Sequence, residues 1–179
     1  VIVLGIDPGS HITGFGVIER APTGERLLDT GVIRVSSEPT HQMRLKRIYE
    51  GLCELIAQHR PDFCAVEMPI YGSNAQSMLK LGRAQATAML AALNHEIPVV
   101  EYTPSQVKKS VTGNGQASKE QVRYMVASIL SIVDVETIVL DASDALAVAL
   151  CHAHRGPDSA SGGHRNWAAF IRDNPERLR

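Results

Sequence analysis

Apolar positions follow two rhythms along this chain. Residues 1–6 form a continuous apolar run, Val1-Ile2-Val3-Leu4-Gly5-Ile6, closed by Asp7 and the turn Pro8-Gly9-Ser10. It reads as a buried strand over residues 1–7. Residues 13–19 and 26–35 read as two more strands, with Pro22-Thr23-Gly24 between them, and such short spacing predicts an antiparallel meander. The period then changes to helical, with Leu45, Ile48, Tyr49, Leu52, Leu55 and Ile56 on one stripe. Pro61-Asp62 ends that stripe, and Phe63-Cys64-Ala65-Val66 runs as a fourth strand into Glu67.

A long helix is predicted from about Asn74 to Asn94. Met78, Leu79, Leu81, Met89, Leu90 and Leu93 alternate there with Gly82 and a series of alanines. Being apolar or small nearly all round, it is expected to be buried on more than one side, either as a central core helix or as one that also meets a partner subunit. Residues 98–102 make a fifth strand. Thr103-Pro104-Ser105-Gln106 carries a cap, a first-turn proline and a glutamine three positions on, and Ser118-Lys119-Glu120-Gln121 opens another helix by the same logic. The loop Thr112-Gly113-Asn114-Gly115-Gln116 lies between them. A last helix runs over about residues 141–154. The order β-β-β-α-β-α-β-α-α predicts an α/β fold, a mixed five-stranded sheet covered by helices. Residues 1–154 form one domain on this reading. Residues 155–179 are a linker and short tail bearing Trp167, Phe170 and Ile171.

The length of 179 residues suits one domain with a real core. Charged residues are 21% and no apolar run approaches the roughly 18 residues of a membrane span, so no membrane is expected. The first residues lack a basic segment and cleavage signature, which argues against export. Cys53, Cys64 and Cys151 are scattered without zinc spacing and read as buried free thiols in a reducing cytoplasm. A net charge of −1 argues mildly against nucleic-acid binding. Residues 103–125 offset that locally, with Lys108, Lys109, Lys119 and Arg123 against Glu120 alone. Such a stretch is either a solvated helix face or a patch for a polyanion.

Four acidic residues carry the candidate chemistry. Asp7 and Glu67 each end a strand. Asp141 and Asp144 lie three apart at the start of a helix and so share a face. Taken singly, each has a plain role: a turn residue, a surface charge, helix-capping carboxylates. Taken together, carboxylates at two strand ends and on one helix turn form a site for divalent cations, because anions held close repel unless cations bind between them. Oxygen ligands suit Mg²⁺ or Mn²⁺. Two ions about 3.5–4 Å apart serve both ends of an in-line displacement at phosphorus. His11, just past the Asp7 turn, is a lesser candidate for a phosphate contact, and His152 and His154 read as helix-end residues.

Leu4-Gly5-Ile6-Asp7-Pro8-Gly9-Ser10 with Thr13-Gly14-Phe15-Gly16 closely resembles the opening of the RuvC family of Holliday-junction resolvases. Val66-Glu67 followed by Asn74-Ala75-Gln76-Ser77-Met78-Leu79-Lys80-Leu81-Gly82 resembles it too. So do Thr103-Pro104-Ser105-Gln106-Val107-Lys108 with Gly113-Asn114-Gly115, and Asp141-Ala142-Ser143-Asp144-Ala145-Leu146-Ala147. The resemblance covers residues 1–154 in order. It implies an RNase H-like fold, a homodimer, Mg²⁺ dependence (Mn²⁺ substituting, two ions per site) and symmetric nicking of two strands of a four-way DNA junction to leave 5′-phosphates. It implies Asp7, Glu67, Asp141 and Asp144 as catalytic metal ligands, Lys108 and Lys119 as DNA contacts, the helix from Asn74 as dimer-forming, and the RuvA–RuvB branch-migration complex as a partner.

The chain departs from the family pattern in two places. Many relatives carry a Phe three residues after the site glutamate, where this chain has Ile70 followed by Tyr71, so Tyr71 is either a stacking residue at the junction centre or a buried ring, and which of Ile70 and Tyr71 acts there stays open. Gly82-Arg83-Ala84-Gln85 reverses the common order of Arg and Gln, which makes Arg83 the candidate DNA contact on that helix. Two rival readings of the chain remain open: a phosphotransferase of the actin and sugar-kinase type, which shares a strand followed by Asp-x-Gly, and a non-catalytic junction-binding module.

Overall fold

The computed structural model describes residues 1–69 and 74–155. Five strands form one sheet: β1 (Ile2–Asp7), β2 (Ile12–Ala21), β3 (Gly24–Arg34), β4 (Phe63–Glu67) and β5 (Val99–Tyr102). Their spatial order is β3-β2-β1-β4-β5. The meander β1–β2–β3 is antiparallel, and β4 and β5 add in parallel beside β1. This is the mixed five-stranded sheet expected from the sequence. Ile70 and Tyr71 lie outside the described residues, as do the linker and tail from residue 156 onward, with Trp167, Phe170 and Ile171.

Helices cover both faces. α1 (His41–His59) and α2 (Ala75–Leu93) pack on one side; Leu4, Ile6, Val17, Cys64 and Val66 bury against their Ile48, Leu52, Ala84 and Ala88. α3 (Pro104–Thr112), α4 (Lys119–Ile129) and α5 (Leu140–Ala153) pack on the other, around Val3, Ala65, Val107, Val126, Leu146 and Leu150. A single 3-10 turn at Val135–Thr137, which the apolar pattern does not announce, leads into α5. Both capping boxes form: Thr103 and Gln106 close the start of α3, and Ser118 and Gln121 that of α4. Among the described residues, no helix is long and apolar enough to cross a membrane.

Two expectations need correction. The helix buried on nearly all sides is α5, not α2. Ten of the fourteen α5 residues are buried, because small alanines let it lie flat on the sheet while α3 and α4 close over it. In the single chain α2 buries only Ala84, Ala88, Ala91 and Ala92, and leaves Leu79, Leu90 and Leu93 more than half exposed. Cys64 and Cys151 are buried as expected, whereas Cys53 is only partly so, since it sits on the flank of α1.

Candidate active site

Strand pairing sets the first two carboxylates side by side. Ile6 of β1 faces Val66 of β4 in parallel register. Asp7 and Glu67, the next residue of each strand, therefore leave the sheet together at one edge. The turn after Asp7 is pinned by the buried Thr13, whose hydroxyl donates to the Gly9 carbonyl at 3.2 Å. Beyond Glu67, the Met68 amide donates to the Tyr102 carbonyl at 2.8 Å and holds the β4 exit against β5. Asp7 and Glu67 line one cleft with Met68, Leu81, Gln85 and Pro104.

The other two carboxylates arrive on α5. Its approach to the sheet depends on glycine: a Cβ on Gly5 would drive into the Ala145 carbonyl, and one on Gly14 into the carbonyl of Asp141. With no side chain there, the first turns of α5 come into contact with the β1–β2 backbone beside Asp7. The cap residue of α5 is Val139, which makes no side-chain capping bond. Asp141 and Asp144 are thus not caps, and their oxygens remain for other work.

The electrostatics tie these groups together. Burial, then the charge of Asp144, then that of Asp141 push the Asp7 carboxyl up to about 7, against the opposing pull of Lys119. Burial, then Asp7 and Asp144, push Glu67 up to about 8, with Lys119 and Lys108 pulling the other way. Like charges in a partly dry cleft favour protonation over mutual repulsion. Among the described residues, Lys119 is the cation bonded to this cluster. Its Nζ donates to Asp144 Oδ2 at 2.5 Å. Burial draws its pKa down, but the bond to Asp144 and the charges of Asp144, Asp7 and Asp141 outweigh that and raise it.

The donor set fits a hard divalent ion. Carboxylate oxygens are the ligands such ions prefer, and two acids held protonated near neutral pH are what a cation would discharge. Among the described residues, however, no three His, Cys, Asp or Glu side chains already form a metal cage. Asp144 is drawn to the Lys119 ammonium instead, and repulsion favours separation of the remaining carboxylates. Asp7, Glu67 and Asp144 are coupled to one another, while Asp141 acts at the margin through Asp7.

The other residues singled out in the sequence fall in different places. Lys108 lies within electrostatic reach of Glu67. Arg83 is exposed on α2, one residue position away from the buried Ala84. Arg123, counted in the basic stretch, is bonded to Glu136 at 2.7 Å and is not a free charge. His152 accepts or donates a 2.8 Å bond with the Tyr102 hydroxyl and packs on Phe63, and His154 bonds Ser110, so both are structural. Sequence reasoning missed the direct Lys119–Asp144 pair, which spans 25 positions, and the part played by Gly5 and Gly14. Glycine inside an apolar strand was the available signal for a close backbone approach.

The family model described as crossover junction endodeoxyribonuclease RuvC matches residues 3–152. The crossover junction endodeoxyribonuclease RuvC of Salinibacter ruber is 51% identical over 178 residues, covering 99% of this chain and 99% of its own length. That of Geobacter metallireducens is 50% identical over 172 residues, covering 95% and 99%. The structure of Thermus thermophilus RuvC in complex with Holliday junction substrate superposes with a TM-score of 0.79 at 35% identity, covering 85% of this chain and 92% of that one.

Proposed function

The chain belongs to the RuvC family of crossover junction endodeoxyribonucleases, and from that premise we propose that it resolves Holliday junctions by hydrolysing phosphodiester bonds in two strands of four-way DNA. The observation that carries the reading is the coupled acidic cleft of Asp7, Glu67 and Asp144 at the sheet edge, answered by Lys119. Family membership removes the phosphotransferase alternative. A non-catalytic module would lack the carboxylates, and all four are present.

In the proposed reaction, water attacks phosphorus and the bond to the 3′-oxygen breaks. The 3′-oxygen gains a proton and the phosphate stays on the 5′ end. Asp7, Glu67, Asp141 and Asp144 would hold Mg²⁺, with Mn²⁺ able to substitute and two ions per site. Bound there, a divalent ion supplies Lewis-acid polarisation of the phosphate and makes water a stronger nucleophile. To hold a cation, Asp7 and Glu67 would have to give up the protons they keep near neutral pH. Lys119 and Lys108 bring positive charge to the flank of the cleft where a strand's non-bridging oxygens would lie. The residues of 1–154 make up the nuclease unit in this scheme, and Tyr71 stacks at the junction centre.

Leu79, Leu90 and Leu93, exposed by 57%, 53% and 51%, share one face of α2 with Gly82 and Ala86. That face supports a homodimer, whose two-fold axis would match that of the junction so that each subunit cuts one strand. The RuvA–RuvB complex is the proposed partner in branch migration, with the chromosome in the cytoplasm as the setting. The test is incubation with a synthetic four-way junction and a matched linear duplex, with and without Mg²⁺, using Glu67→Gln as control. Paired nicks in the junction alone, lost in the variant although it still binds, support the reading. Equal cutting of duplex, or a variant that cuts at the normal rate, refutes it. Light scattering checks the dimer.

A further inference from the structure

Lys119 already supplies the acidic cleft with a positive charge. The capping box of Ser118 and Gln121 fixes the start of α4, and Lys119 is the first residue after that cap. Its side chain is mostly open to solvent, whereas that of Asp144 is nearly covered. Nζ reaches Asp144 Oδ2 at 2.5 Å. Among the described residues this is the only ion pair made by any of the four carboxylates. The ammonium also feels the charges of Asp7 and Asp141, and Glu67 feels the ammonium in turn. One positive charge thus lies in the field of all four acids. That is the electrostatic place of a metal ion, filled by a side chain of the protein itself. An ammonium held on a carboxylate oxygen repels any second cation brought to the same oxygen.

We propose that Lys119 competes with the metal for Asp144: its ammonium holds that carboxylate in the metal-free protein and has to leave before Asp144 can serve as a ligand. The proposal rests on the nuclease reading for the identity of the metal site and adds what occupies that site without metal. The build of the pair favours exchange. Lys119 is anchored at its backbone, and its flexible stem carries a strongly hydrated head that regains water on leaving. Asp144 cannot follow it, because α5 is held against the backbone of Gly5 and Gly14. The carboxylate stays and the cation changes. A divalent ion carries twice the charge of an ammonium and takes several oxygens at once, so it displaces Lys119 where the other carboxylates are ionised. The apparent affinity for metal is then the intrinsic affinity reduced by the fraction of molecules in which the pair is open.

Calorimetric titration of Mg²⁺ into the full chain, without DNA, measures the competition. The proteins are wild type, Lys119→Met, Lys119→Arg, Asp144→Asn and the double variant Lys119→Met with Asp144→Asn, each checked for an unchanged fold by circular dichroism. Lys119 also lowers the pKa of Asp7 and Glu67, which lie at about 7 and about 8. Its removal favours their protonated forms and would mask a gain near neutral pH, so the titration is run at pH 9. With a solvent-exposed pair closed about four-fifths of the time, Lys119→Met should bind Mg²⁺ roughly fivefold more tightly than wild type. Lys119→Arg keeps a cation on Asp144 and should stay near the wild-type affinity. In the Asp144→Asn background the ammonium has no carboxylate to hold, and Lys119→Met should bring little further gain. A Lys119→Met protein that binds no tighter than wild type overturns the proposal. An equal gain with and without Asp144 also overturns it, because Lys119 would then act only as a distant like charge. So does a Lys119→Arg gain equal to that of Lys119→Met, which would trace to side-chain shape rather than lost charge. These titrations involve no DNA, so a wild type that shows the competition yet leaves four-way junctions uncut would sink the nuclease reading alone.

Discussion

Asp7→Asn should abolish cleavage and at the same time stabilise the metal-free protein. In the folded chain the Asp7 carboxyl keeps its proton up to about pH 7, against 3.8 for the ordinary group. Between those values the folded state binds more protons than the unfolded state, so stability falls as pH rises through that window and levels off above it. A displacement of roughly 3 units corresponds to about 4 kcal/mol of destabilisation at pH 8. Asparagine removes the charge but leaves a polar amide to desolvate, so about half of that should be recovered. For a domain of this size, roughly 2 kcal/mol raises Tm by about 4–8 °C. The assay is thermal and urea denaturation of both proteins in EDTA at pH 8 and pH 4. The variant should melt higher at pH 8, with the gap nearly closed at pH 4. Added Mg²⁺ should then stabilise the wild type much more than the variant, reversing or narrowing the order by mass action. A variant less stable than wild type at pH 8 in EDTA, or a gap independent of pH, would show that Asp7 is not held under electrostatic load.

Three further outcomes follow from the same geometry. Lys119→Ala should weaken junction binding and flatten its salt dependence, and should also move the rising limb of the cleavage pH profile upward, because Lys119 holds down the pKa of both Asp7 and Glu67; an unmoved limb would mean its charge does not act on them. In the wild type, cleavage at limiting metal should climb through about pH 7–8, where Asp7 and Glu67 lose their protons, and a profile flat from pH 6 to 9 would contradict that. Gly14→Ala should lower stability by about 1–3 kcal/mol or more through overpacking against the Asp141 carbonyl, measured by urea unfolding, and cleavage should fall further than stability alone explains because α5 is displaced from Asp7.

Local signals were written plainly in the chain, and long-range ones were not. Thr103-Pro104-Ser105-Gln106 and Ser118-Lys119-Glu120-Gln121 each announce a helix start because the capping bonds lie within three residues, and both boxes form. The turn at Pro8-Gly9-Ser10 and the break at Pro61 likewise bound their elements. The fate of α2 and α5 was harder to read. An apolar pattern says that a surface wants cover, but not whether the same chain supplies it; α2 keeps a leucine face open, whereas α5 with its alanines is covered from every side. The acidic quartet was legible as four strand-end and helix-start carboxylates. Their unequal roles were not, since Asp141 stands apart only because of how α5 lands on Gly14.

The cleft divides fixed parts from exchangeable ones. Asp7 and Glu67 leave central strands of the sheet, and Asp144 stands on a helix that is buried nearly all round. None of these can relax its backbone to escape its neighbours, and at Asp7 and Glu67 burial, with the neighbouring negative charge added, raises the carboxyl pKa. Lys119 is different: it opens an outer helix, and its side chain is 59% exposed against 14% for Asp144. An ion pair with one partner in water is worth at most about 1 kcal/mol. The ammonium can therefore exchange Asp144 for another anion at little cost. Rigid anions with one mobile cation beside them make a site whose negative charge is held in place before substrate binds and whose compensating charge is free to move with it.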